Sequence, residues 1–302
     1  MRGVRLLLIW ITIGLFGSIC PVSAAVTTFV YRSAETLHDT RNGYDMALLR
    51  LALEKTRDVY GEFELLPSPV MNTTRVVKAL QQGTYPNFII KMSYSPEYEH
   101  QGLLRGGYEL ERGIVGYRVC YTRRALLPQL ASRTTLAAWQ LLSYGQGTGW
   151  MDVDILRANE FLVAEVPNYK NLFPMTAMGR FDLFCRGINE IPDELAEIKR
   201  YPEIVLEPKM MLYYDLPRFF YANPRDSAGL ERVEKGIRLA AADGSLQQLW
   251  LHFNQPGIDY VHPAQRQLFR LKNPLLKDLH WAPDQLIYNL QTGRFEPRTA
   301  HQ

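Results

Sequence analysis

The strongest constraint on this chain is the alternation of β-type and helical segments between Val26 and Met92. Val26 to Arg32 (Val-Thr-Thr-Phe-Val-Tyr-Arg) is β-branched and aromatic, a strand composition. Gly43-Tyr44-Asp45 then opens a helix whose Tyr44, Ala47, Leu48 and Leu51 keep helical spacing, ending near Tyr60-Gly61. Phe63 to Leu66 forms a second strand, stopped by Pro67 and Pro69. Asn72 is an N-cap for a helix carrying Val76, Val77 and Leu80, with Gly83 past its end. Asn87 to Met92 is a third strand. Strand, helix, strand, helix, strand predicts a parallel sheet flanked by helices.

A second set of elements follows. Gly113 to Tyr121 reads as a strand and Thr134–Leu142 as a helix. Gly145-Gln146-Gly147-Thr148-Gly149-Trp150 reads as a glycine-rich loop, which lets backbone approach a ligand. The helix after it, from Met151, points free N–H groups into that loop and suits a polar or anionic group. Phe161 to Ala164 is a further strand. Gly179-Arg180-Phe181-Asp182-Leu183-Phe184-Cys185-Arg186-Gly187 ends another, with Arg186 just past its end, where open α/β sheets place ligand contacts. Met210 to Tyr221 is a long aromatic strand whose Pro217 points to an edge, a bend or a crossing. Helices marked by Leu230, Val233, Ile237 and by Leu246, Leu249, Trp250 complete the pattern. The remaining tail, rich in Pro, Asn and Gln, reads as irregular.

The expected fold class is therefore α/β, with two interleaved lobes, each a mostly parallel sheet flanked by helices. The strands at Ile114–Tyr121 and Met210–Tyr221 are the natural crossings between them. The expected division is a signal peptide over 1–24, a first lobe over 25–112, a second over 113–209, and a return to the first lobe with a tail over 210–302.

The N-terminus reads as an address. Arg2 and Arg5 precede the apolar run Leu6–Ile19, and Val22-Ser23-Ala24 offers small residues for cleavage before Ala25. The run is shorter than the ~20 residues of a membrane-spanning helix. Ile19 is too bulky to make Cys20 a good lipid-anchor site. Periplasmic export through a cleavable signal peptide is expected. Losing Arg2 and Arg5 lowers the net charge from +3 to +1, by subtraction, too little to argue for nucleic acid or anionic membrane as a partner. Cys120 and Cys185 then enter an oxidising compartment. Both lie in apolar, strand-like runs, and the reading favours two buried free thiols over a disulfide.

Motifs of catalysis and of metal or cofactor binding are missing from the sequence. Its six histidines are scattered without an HExxH, there is no CxxC, no GxSxG elbow and no Walker loop, and the glycines at 145, 147 and 149 lack dinucleotide-binding spacing. No catalytic residue, metal ligand or cofactor is assigned.

Several short motifs do share an order. The first strand leads to Gly43-Tyr44-Asp45, and Met92-Ser93-Tyr94-Ser95-Pro96-Glu97 follows the third. Gly147-Thr148, Gly179-Arg180-Phe181-Asp182 and Asp243-Gly244-Ser245 come after. From Val26 to Phe253 the chain resembles an extracytoplasmic solute-binding protein of the polar amino acid type (solute-binding protein family 3). That resemblance implies the two-lobed type II periplasmic binding fold. It departs where the ligand is held. Tyr98 stands where the family's carboxylate-clamping arginine would be, and the family's ammonium-binding aspartate falls at Gly187, beside Arg186. A divergent branch is implied, and an amino-acid ligand is not.

The expected function is binding of a small polar, anionic solute in the cleft between lobes, for delivery to a membrane permease of an ABC transporter. The alternatives are a ligand-sensing module for a membrane sensor protein, or a periplasmic dehydratase-like enzyme with Glu35 as its carboxylate to watch. A monomer is expected. The expected ligand contacts are Arg32, Ser33, Glu35, Ser93 and Tyr94 from the first lobe, and Gly147, Thr148, Gly149, Trp150 and Arg186 from the second; the alternative for Arg186 is a pairing with a carboxylate such as Glu190. The fold that the resemblance implies also sets the strand entering the second lobe beside the one carrying Gly179-Arg180-Phe181-Asp182, so Cys120 and Cys185 are expected to lie near each other.

Overall fold

The computed structural model describes residues 26–33, 43–71, 73–277, 279 and 285–297. The signal-peptide segment, Glu35 and Asn72 lie outside the described residues. The first lobe opens with β1 (Thr27–Tyr31), α1 (Gly43–Lys55), α2 (Arg57–Tyr60), β2 (Phe63–Pro67), α3 (Thr73–Gln82), β3 (Ile90–Ser93), α4 (Pro96–His100) and β4 (Leu104–Arg105). β1 pairs parallel with β2, and a single parallel bridge, Val30 to Phe88, joins that pair to the chain entering β3. β11 (Arg218–Ala222) arrives from the far side of the molecule and runs antiparallel between β3 and β4, setting Arg218 opposite Ser93.

Strand alternation sorts β3 into two faces. Ile90, Met92 and, beyond the strand, Tyr94 join Val76, Leu80, Phe219 and Tyr221 in an apolar cluster. Lys91 turns the other way, toward α1, where it pairs with Asp45. Burying each large apolar side chain contributes about 1.5–3 kcal/mol, so this division fixes the strand's register and delivers Lys91 and Ser93 to the opposite face.

The second lobe comprises β5 (Tyr117–Arg123), α5 (Leu127–Leu130), α6 (Leu136–Gln140), β6 (Ser143–Gly147), α7 (Met151–Ala158), β7 (Leu162–Val166), α8 (Tyr169–Ala177), β8 (Leu183–Gly187), α9 (Ile191–Ile198) and β9 (Ile204–Leu206). β6 lies parallel to both β7 and β8. β5 is antiparallel to β8, β9 and β10 (Met210–Tyr213). β12 (Gln267–Arg270) closes the edge parallel to β10. Parallel pairing thus prevails where helices connect the strands, and antiparallel pairing appears where the crossing strand β5 enters.

Two local expectations are corrected here. Gly145 to Gly147 belong to a strand, and only Thr148 and Gly149 form the loop. Glycine is poor in strands on propensity alone. In β6 the bare backbone is needed because side chains on Gly145 and Gly147 would collide with the rings of Phe181 and Trp150. The second correction concerns the cysteines. Cys120 and Cys185 face each other across β5 and β8, as their expected closeness requires, but they are joined in a disulfide with Cα atoms 3.8 Å apart. They were expected to remain free thiols because each sits in an apolar run, and sequence does not reveal that the runs are directly paired.

Both stretches expected as continuous crossing strands are broken. The first passes from Glu109 through a 3-10 turn at Ile114–Gly116 into β5. The second leaves β10 at Tyr213 and enters β11 at Arg218, with Pro217 in the gap. Tyr214 N–H donates to the Gly116 carbonyl at 3.2 Å and ties the two together. α10 (Ser227–Ala242) and α11 (Ser245–Val261) pack back on α1. The tail is not irregular. Besides β12 it holds the hairpin β13 (Leu286–Asn289) and β14 (Arg294–Pro297), whose Tyr288 and Phe295 rings lie 4.6 and 5.2 Å from that of Trp250. Among the described residues no helix is long and apolar enough to cross a membrane.

Candidate functional site

The ends of β5, β6 and β8 and the first turn of α7 bring together a buried charged network in the second lobe. Arg118 pairs with Asp152 at 3.0 Å and Glu190 at 3.2 Å. Arg186 pairs with Glu190 at 2.8 Å and Glu194 at 2.5 Å. Tyr214 from the second crossing donates to Asp152 at 2.5 Å, and Tyr169 donates to Glu194 at 2.8 Å. The Arg186 guanidinium lies 4.8 Å from the Trp150 ring and 5.4 Å from that of Tyr169. Burial alone would push the Glu190 carboxyl up, but Arg186 and Arg118, with Arg218 from the first lobe, hold it down at about 2. Burial pushes Glu194 above the usual carboxylate range, against the pull of Arg186.

Gly187 explains how Glu190 gets there. A Cβ on Gly187 would lie 2.5 Å from Asn189 Oδ1, 3.0 Å from Glu190 Oε2 and 3.4 Å from Arg118 Nη1, and the Gly187 N–H donates to the Glu190 carboxylate at 2.8 Å. The Asn189 amide and the Glu190 carboxylate thus occupy the space that a side chain at 187 would take. Two arginines already pair with that carboxylate.

The first lobe presents a second network. Lys91 pairs with both Asp45 and Glu111, and its ammonium lies 5.0 Å from the Tyr44 ring. Burial would lower the Lys91 pKa, but the two carboxylates raise it, so the lysine stays charged. A small cavity beside it is lined by Tyr31, Arg32, Asp45, Met46, Lys91 and Phe220, where β1 and β3 splay apart beyond their single bridge. Arg218 stands on the same face, in register with Ser93. Among the described residues its closest ion-pair partner is Glu111 at 3.8 Å and its buried Nε has no hydrogen bond, and its side chain keeps 22% of its exposure. Neither Arg218 nor Glu190 stands out in the sequence, since each is one charge in an apolar or mixed run.

The sequence-expected contacts distribute unevenly. Arg32 borders the cavity, and Ser93 sits at the end of β3 opposite Arg218. The Ser33 hydroxyl donates to the Ser68 carbonyl. Tyr94 is buried in the apolar cluster, its ring edge-on to Phe219 at 6.3 Å, and so walls the core and not a cleft. Thr148 and Gly149 are exposed at the loop, where Thr148 N–H donates to the Val166 carbonyl at 3.1 Å. Trp150 covers Gly147 and Arg186. Arg186 is a correction. It lies within β8, 3% exposed, with its guanidinium committed to Glu190 and Glu194 instead of being open to a ligand. The pairing carboxylates come from the turn and helix that follow: Glu190, the alternative the sequence allowed, and Glu194, which it did not signal. Asp152 likewise already supplies a carboxylate at the positive end of α7.

Burial raises several carboxylates, among them Glu194 and Asp45, which lines the first-lobe cavity. Glu109 is pushed up to about 7. Its Oε1 accepts the backbone N–H groups of Glu111 at 3.0 Å and Arg218 at 3.1 Å, one from each crossing.

No family model and no curated protein sequence matches the chain. Solved structures do. An ancestral arginine-binding protein bound to arginine is 16% identical, with a TM-score of 0.52 over 76% of this chain and 99% of that one. A Salmonella typhimurium periplasmic binding protein described for its high arginine specificity is 14% identical, with a TM-score of 0.54 over 76% and 100%. A histidine kinase sensor domain similar to periplasmic binding proteins is 14% identical, with a TM-score of 0.51 over 76% and 96%. At these identities the likeness is one of architecture, and with the lobes, crossings and sheet order above it leads to one conclusion: the chain has the two-lobed α/β fold of the periplasmic binding proteins.

Proposed function

We propose that this chain is an extracytoplasmic solute-binding protein that holds a small polar solute between its lobes and passes it to a membrane permease. The lobes would divide near residues 112 and 210, and export would follow cleavage after Ala24. The reading is supported by the register of Arg218 with Ser93 at the strand ends of the first lobe, with the Arg218 charge felt by Glu190 of the second. Lobes that bring polar groups together this way gain affinity by closing, with no chemistry required.

An anionic solute group remains the proposal, but its partner moves. Arg186 is spent on two carboxylates, whereas Arg218, beside the Ser93 hydroxyl, keeps donors for a carboxylate or similar anion. Arg32 at the neighbouring cavity adds to the positive side. Glu190 itself is held by both Arg118 and Arg186 and is not open to a ligand ammonium group. The similar sensor domain favours a second reading, in which the closed form is presented to a membrane sensor.

A thermal-shift screen over organic acids, amino acids, polyamines and short peptides tests this. A solute at a hundred times its Kd adds about 2.7 kcal/mol to stability. The expected hit is a small organic anion. A cationic polyamine as the tightest ligand, or no stabilisation by any small solute, would overturn the reading.

A further inference from the structure

Beyond the two crossings, the C-terminal segment passes between the lobes a third time. It is first fastened to the second lobe. Arg266 donates to the carbonyls of Glu207 and Met210, and β12 pairs with β10 from Met210–Gln267 to Tyr213–Arg270. Gln267 Nε2 donates to the Thr134 carbonyl at 2.9 Å. Asn159 exchanges two hydrogen bonds with the Lys272 backbone, at 2.8 and 3.1 Å. A few residues later the same chain is fastened to the first lobe. Leu276 packs on the apolar cluster of Met92, Tyr94, Phe219 and Tyr221, and Leu279 is buried within it.

The link between these anchorages is short and braced. Leu271 N–H donates to the Tyr213 carbonyl at 2.7 Å, and Asn273 Nδ2 donates to the Asp215 carbonyl at 2.8 Å. It therefore runs alongside the second crossing. Asn273 Oδ1 accepts from Leu275 N–H at 2.9 Å and fixes the turn at Pro274, whose ring locks φ. The C-terminal hairpin then holds the first crossing. Gln285 accepts from Glu109 N–H and donates to the Gly107 carbonyl, both at 2.8 Å, and Tyr288 N–H donates to the Arg112 carbonyl at 2.9 Å.

Two lobes on two crossings pivot by changing a few backbone dihedrals. A third connection spans at most ~3.3–3.6 Å per residue, so once both ends are packed it limits any rotation that would stretch it. We propose that the Arg266–Leu279 segment is a strap that limits how far the lobes open, independently of any solute.

The test uses the full chain with spin labels on Lys78→Cys in α3 and Leu162→Cys in β7, both exposed sites. Cys120 and Cys185 are occupied by their disulfide, and Cys20 is replaced by serine. Double electron–electron resonance then reads the interlobe distance. A Gly-Ser-Gly-Ser insertion between Lys272 and Asn273 lengthens the strap and keeps both anchorages. The intact strap gives a narrow distribution, and the insertion broadens it toward longer separations. The same distribution in both proteins, or an intact protein already as broad, overturns the proposal. If the insertion does not fold, Asn273→Ala replaces it. A smaller shift toward longer separations supports the strap, and no shift overturns it.

Discussion

Glu109 is the residue where both crossings and the C-terminal hairpin meet, and its carboxyl is the one most exposed to pH. Its folded pKa of about 7 lies above the ordinary carboxylate value. Between about pH 4.5 and 7 the folded state therefore holds a proton that the unfolded chain has released, and stability falls as pH rises, by at most about 1.4 kcal/mol per unit. Glu109→Gln keeps an acceptor for the two N–H groups and removes the titration. Urea unfolding should find the variant gaining on the wild type across that window and holding its lead above it, whereas parallel curves would show that Glu109 does not titrate there. Glu190 works in the opposite direction. Its stabilisation is present above about pH 4.5 and is lost as pH falls toward about 2. Arg186→Met would leave Glu190 and Glu194 buried without their shared cation, at a cost of about 3–5 kcal/mol. Thermal unfolding checks this, and an unchanged Tm would mean that the network is not formed.

At the scale of elements, the strands and helices of the first lobe were legible because each has a local signal: β-branched runs, helical spacing, glycine and proline stops. The glycine-rich stretch was not, since Gly145 is chosen by the ring of Phe181, from elsewhere in the lobe, and Gly147 by that of Trp150, which folds back over the strand. Gly147→Ala should therefore destabilise the fold by forcing Trp150 off β6, and a Tm equal to wild type would contradict that packing. The tail was misread for a similar reason. β12 exists because β10 is waiting for it, and the hairpin because Trp250 is. The Cys120–Cys185 pairing also depends on register. Closing a loop over a separation of 65 residues, it contributes about 4 kcal/mol in the chain-entropy picture, so Cys120→Ala/Cys185→Ala should unfold at markedly lower denaturant. An unshifted midpoint would contradict it.

For the whole molecule, the order of strands and helices carried the fold, because two crossings between α/β lobes leave few ways to connect them. The site was less legible. For Arg186 the sequence offers both a ligand and Glu190, and it does not show that Glu194 folds back as well. Arg218 was passed over because it begins an aromatic strand whose partner, Ser93, lies far away along the chain. In the function proposed above, that pair holds a small anionic solute between the lobes. The most direct measurement is calorimetric titration of the solute that stabilises the protein best, into wild type, Arg218→Gln and the exposed control Lys78→Gln. Loss of a charge-assisted contact is worth about 1.5–3 kcal/mol, so Arg218→Gln should weaken binding by about one to two orders of magnitude while the control matches wild type. Equal affinity in wild type and Arg218→Gln would contradict the claim.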